Sequence, residues 1–120
     1  MRSLAVFLFL TATLAAADVS GKWSGSYDVD MSDGETMKGK VVLVLTQAGS
    51  DVTGTVGPDE QQMSQIKKGN VQGDRITFES QTEGPLMKFE LHLENDHLRG
   101  EAKGDVDGNV IKVKLDLMKT

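Results

Sequence analysis

The chain has no cysteine, only two prolines, one tryptophan and one tyrosine in 120 residues. Without cysteine there are no disulfides, no thiolate nucleophile, no zinc–cysteine site and no lipid-modified N-terminal cysteine. A small domain of this kind is held by its core and its backbone ladders alone. If such a chain is exported, the lack of cysteine favours a bacterial periplasmic or secreted protein over an animal one, since animal secreted domains of this size are often disulfide-dense. Cationic residues are also in deficit, with 13 Lys and Arg against 18 Asp and Glu, for a formal net charge of −5. An acidic chain with no basic cluster in its sequence argues against nucleic acid and against anionic membrane surfaces as partners. Only two histidines are present, which limits acid–base and metal chemistry.

Long apolar runs are missing as well, with one short exception at the start. MRSLAVFLFLTATLAAAD reads as a secretory signal helix: Arg2 supplies the positive segment, Leu4 to Leu14 the apolar segment, and Ala15-Ala16-Ala17 the small-residue cleavage pattern. Its apolar segment is shorter than the ~18 residues of a spanning helix, and an uncleaved anchor is the competing reading. Residues 1–17 are therefore expected to be removed, leaving Asp18 first and residues 18–120 as one domain with no membrane span. Loss of Arg2 makes that domain one charge more acidic, and loss of Phe7 and Phe9 leaves Trp23, Tyr27, Phe78 and Phe89 as its aromatic residues.

What remains alternates with the period of a strand and shows no helical period. Lys22–Met31 places Trp23, Gly25, Tyr27, Val29 and Met31 on one face. Thr36–Gln47 carries the block VVLVL, Val52–Gly57 is short, and Ser64–Gly73 carries Ile66 and Val71. Arg75–Gln81 sets Ile76 and Phe78 against Thr77 and Glu79, and Met87–Glu94 sets Met87, Phe89, Leu91 and Leu93 against Lys88, Glu90, His92 and Glu94. His97–Lys103 returns across the Asn95-Asp96 turn, and Asn109–Leu117 sets Ile111, Val113, Leu115 and Leu117 against Lys112, Lys114 and Asp116. Turn residues separate the runs, so short connections make neighbours antiparallel. The expectation is an all-β fold of about eight strands in one meander, closed into an up-and-down barrel that leaves no unpaired edge. A β-sandwich is the competing architecture.

A weak internal repeat fits a barrel. VTGTVG, IKKGNVQGDRITF and LRGEAKGD each place an apolar residue before a glycine, then a small or branched residue, then another glycine. Glycine weakens a strand, so these positions predict bends or close backbone approaches, with an edge bulge as the alternative.

Gly21-Lys22-Trp23 at the head of the first strand, followed by a meander, resembles the calycins, meaning the lipocalins and avidin-like barrels. GKWSGSYDV followed by Thr53-Gly54-Thr55 is similar to the opening of an avidin-type barrel. The rhythm also resembles small exported bacterial barrel proteins without assigned activity. Biotin-binding barrels wall their ligand with several tryptophans, and this chain has one, so biotin binding does not carry over. The lipocalin resemblance implies a basic residue late in the chain packed on Trp23, with Lys112, Lys114 and Arg99 as the available choices.

Candidate inward residues are Trp23, Tyr27, Met31, Val71, Ile76, Phe78, Phe89, Leu91, Leu93, Val113, Leu115 and Leu117. A barrel of eight strands is filled by such side chains or holds one small ligand. The ligand-binding set is Trp23, Tyr27, Met31, Phe78, Phe89 and Leu91, with Tyr27 offering a polar handle.

Other constellations read as ordinary surface. With a two-residue turn, Glu94 faces His97 and His92 faces Arg99; the arginine opposes a divalent metal, so this is read as a solvated outer face with Glu–His and Glu–Arg pairs. The acidic turns DVDMSDGE and DVDGN do not fit a calcium loop, since Gly39 stands twelfth from Asp28, where the loop needs glutamate. The methionines lack the close spacing of a copper site. No catalytic residue, metal site or cofactor is expected, and the chain is not expected to be an enzyme. Two functions follow: a carrier for a small apolar ligand inside the barrel, or a protein-interaction module, such as an exported inhibitor or accessory domain, with a closed core.

Overall fold

A computed structural model describes residues 18–30, 34–81 and 84–120. The expected signal segment, residues 1–17, and Met31 lie outside these residues. Eight strands follow in chain order: β1 (Gly21–Asp30), β2 (Thr36–Ala48), β3 (Asp51–Gly57), β4 (Ser64–Gln72), β5 (Arg75–Ser80), β6 (Met87–Glu94), β7 (His97–Val106) and β8 (Asn109–Lys119). Each pairs antiparallel with the next, and β1 also pairs with β8, so the sheet closes into an up-and-down barrel. Closure excludes the sandwich. It is also compatible with the calycin-like layout expected from the first strand.

The alternation places side chains as period two requires. Trp23, Leu43, Val56, Ile76, Phe78, Leu91, Leu98, Leu115 and Leu117 all face inward and are buried. The VVLVL block has no period of its own, but its register against β1 pairs Trp23 with Leu43 and Gly25 with Val41. Val41, Leu43 and Leu45 therefore enter the core, and Val44 stays exposed. Strand β4 breaks the rule: Ile66 and Val71 are an odd number of residues apart, and both are buried. A bulge resolves this, because Lys68 adopts a φ of 55° and the register against β3 and β5 shifts there. The extra residue returns Val71 to the inner face.

The strand glycines mark close approaches. A Cβ on Gly54, whose φ is 150°, would lie 1.8 Å from the Val44 carbonyl oxygen. At Gly100 it would lie 2.0 Å from the carbonyl oxygen of Glu90. Neighbouring backbones occupy the space a side chain needs, which is the reading the glycine repeat predicts.

The two ends of the barrel differ. The end holding the turns after β2, β4 and β6 is sealed. Val19 is fully buried beneath it, its N–H donates to Gln47 Oε1 at 2.9 Å, and its carbonyl accepts from Trp23 Nε1 at 3.0 Å. Gln47 N–H donates to Ser20 Oγ at 2.9 Å, and Thr120 N–H donates to the Lys22 carbonyl at 2.9 Å. Both ends of the described chain are thus stitched to this end. Trp23, Leu43, Leu45, Leu98 and Leu117 fill the interior above it with almost no exposed surface.

Candidate functional site

The opposite end is open. Inside it lies an apolar cup of about 200 Å³, lined by Tyr27, Val41, Met87, Phe89, Ala102, Val113 and Leu115. Its origin is a shortage of side-chain volume on β7. The inward face of that strand reads Leu98, Gly100, Ala102, Gly104, in register with Leu91, Phe89 and Met87 on β6. At positions 100, 102 and 104, nothing larger than a methyl group points inward from β7. The neighbouring strands do not fully close the gap.

The cup's walls are held by specific contacts. The Tyr27 ring lies across Gly39, where a Cβ would come within 2.4 Å of its Cζ and Oη. Met87 occupies the space above Gly104, where a Cβ would meet its Sδ at 2.3 Å. Phe89 stacks on Phe78, directly opposite on β5, with ring centroids 4.5 Å apart and planes inclined by 15°. Phe78 belongs to the sealed core and Phe89 to the cup, so this stacked pair forms the floor between them.

The predicted ligand set therefore divides. Tyr27 and Phe89 line the cup. Trp23, Phe78 and Leu91 are buried in the filled core and line none of it. The large inward residues sit where packing is tightest, and the cup forms where they are missing. The lining is apolar throughout, so Tyr27 presents its ring to the cup. Val41, Met87 and Ala102 were not among the inward candidates; Val41 lay in a run with no visible period, Met87 stands at the very start of its strand, and alanine is too small to register in an apolar alternation.

The basic partner of Trp23 is also corrected. Lys119 Nζ lies 5.6 Å from the centre of the Trp23 ring. Lys112 and Lys114 have the wrong parity, since Ile111, Val113, Leu115 and Leu117 point inward between them. Arg99 lies on the outer face, where its Nε donates to Asp116 Oδ2 at 3.2 Å.

On that face the hairpin register is the expected one, with Glu94 opposite His97 and His92 opposite Arg99. The main partner, however, comes from β8. His97 Nδ1 is 2.8 Å from Asp116 Oδ1, and this hydrogen bond, with Arg99 next in effect, holds the Asp116 carboxyl below its ordinary value. The Glu pairs are longer, with Arg99 to Glu94 at 3.9 Å and His92 to Glu90 at 3.5 Å. Among the described residues, no three His, Asp or Glu side chains are placed to hold a metal ion. In the turn after β7, Asp105 Oδ1 accepts from Gly108 N–H at 2.9 Å, a local turn contact.

No family model matches this chain, and no curated protein and no solved structure matches it.

Proposed function

We propose that this is an exported barrel protein that binds a small apolar group at the open end of the barrel. One observation carries the reading: an all-apolar cup of about 200 Å³ faces solvent above an otherwise filled and sealed core. An engineered cavity of about 150 Å³ takes benzene, so the cup suits a single ring or a short alkyl chain. It falls below the roughly 300 Å³ of ordinary drug-sized pockets, so a larger ligand leaves part of itself outside. Binding rests on removing apolar surface from water, with shape as the main selector.

A second reading has its own support. Met37 and Val110, on strand ends, and Leu86, just before β6, are exposed near the open mouth, at 55%, 70% and 36%. A protein partner that seats one apolar side chain in the cup would cover that rim. Native mass spectrometry of protein purified from its host separates the two. A discrete small mass, lost on unfolding and absent from a Val113→Phe variant, is the result expected of a ligand carrier. A bare mass, together with no uptake of added toluene by the native chain, would overturn that reading in favour of the partner.

A further inference from the structure

We propose a second site on the outside of the barrel, across β6, β7 and β8 next to the open rim, that binds an amphiphilic anion: a phosphate or carboxylate head on a short apolar chain. The site does not depend on the cup. It rests on a row of lysines that the sequence disperses and the register assembles. Lys88 stands directly opposite Lys103, and Lys103 directly opposite Lys112. All three are exposed. Side chains so paired emerge about 5 Å apart, and like charges placed this way repel.

A chain with acids in excess has the means to neutralise such a row, and Glu79, Glu90 and Glu101 line an outer groove with Lys88 and Lys103, yet none of them forms an ion pair with the three lysines. Glu79, opposite Lys88 on β5, reaches Lys68 at 3.9 Å. Glu90 faces Arg75 at 3.4 Å. Asp105 Oδ1 is held by the Gly108 amide. Glu101 and Asp28 stand opposite Lys114 and not Lys112. Among the described residues, Lys88, Lys103 and Lys112 form no ion pair. The cost of the row is uncompensated within the described chain, and an anion removes it.

A second observation fixes the ligand's other half. One tier nearer the rim, a groove of about 350 Å³ is bounded by Leu86 and Val110, with Lys88, Lys103, Gly104 and Asp105 completing its lining. Val110 is 70% exposed, a large apolar side chain left in water. A head seated between Lys88 and Lys103 directs a chain of roughly eight carbons over these two side chains, burying apolar surface on both. Asp105 stands on this upper tier opposite Val110, with one carboxylate oxygen accepting from the Gly108 amide.

Isothermal titration calorimetry of the purified protein with octyl phosphate, octanoate, octanol and inorganic phosphate tests the site. At least one of the two anionic amphiphiles is expected to bind tenfold or more tightly than octanol and than inorganic phosphate, and to weaken as salt is raised. A Lys88→Ala/Lys103→Ala variant is expected to lose tenfold or more in that affinity, and Leu86→Ser/Val110→Ser to weaken the amphiphile without changing inorganic phosphate. The cup variant Val113→Phe is expected to bind as the native chain does. Equal affinity for octanol, or affinity retained in the double lysine variant, would overturn the proposal. Loss of binding in Val113→Phe would place the amphiphile in the cup and overturn it too. All four substituted residues of the outer site are exposed, so circular dichroism should report an unchanged fold.

Discussion

Trp23 and Tyr27 stand four residues apart on the same face of β1, and they meet different surroundings. Trp23 is 1% exposed, capped by Val19 below and by Lys119 beside it. Tyr27 is half-buried and lies along the wall of a cup open to water. The strand is equally regular at both places. What differs is the supply of side-chain volume from across the barrel: leucines at the sealed end, and glycine and alanine on β7 at the open end. Stability is therefore concentrated at one end and binding capacity at the other, within one continuous sheet.

The largest expected contrast comes from emptying each end. Trp23→Ala should cost about 3–5 kcal/mol, because the surrounding leucines cannot collapse into the space it leaves. Tyr27→Ala should cost about 1–2 kcal/mol, since its ring is only part-buried. Urea denaturation of the two variants measures the gap, and equal losses would contradict it.

Strand β7 allows the same comparison within one element. Leu98→Ala at the sealed end should destabilise by about 2–5 kcal/mol. Ala102→Leu at the open end should cost under about 1.5 kcal/mol, because the added atoms enter the cup and not a close-packed core. It should also abolish uptake of toluene, which Leu98→Ala should leave in place if that variant folds. The cap on the sealed end is a smaller effect. Lys119→Met removes a cation from the Trp23 ring and should cost about 0.5–1 kcal/mol, with no change at the cup.

The smallest effect is in pH. Asp116 titrates below the ordinary aspartate value of 3.8 because His97, and then Arg99, bind its charged form. A lowered folded value means that this stabilisation is present above pH 3.8 and is lost as the pH falls through the folded value. Asp116 is half exposed, so the contribution is screened to tenths of a kcal/mol. Urea midpoints from pH 6 down to pH 2 should fall slightly less for Asp116→Asn than for the native chain.

The strands were legible because each buries one face, and alternation records that directly. Their closure was legible because eight such strands in a meander leave edges that only a barrel removes. The cup was not legible, since it is made of absent volume, and Gly100, Ala102 and Gly104 mark nothing that a search for large apolar residues can see. Val19 was missed because it precedes the first strand and is buried only by the closure of the barrel end. Lys119 was missed because it follows the last apolar residue of the alternation, Leu117, and Asp116 because it belongs to the strand beyond the hairpin. The lysine row has the same cause: its members are far apart in the sequence, and only the register of three strands brings them together.

The most direct test of the account is a methyl-resolved NMR titration of the protein with toluene. The account predicts saturable shifts confined to the methyl groups of Val41, Met87, Ala102, Val113 and Leu115, while those of Leu43, Leu45, Leu98 and Leu117 stay fixed. Absence of saturable shifts at the cup, or equal shifts among the sealed leucines, would contradict the division of the barrel into a closed core and a binding end.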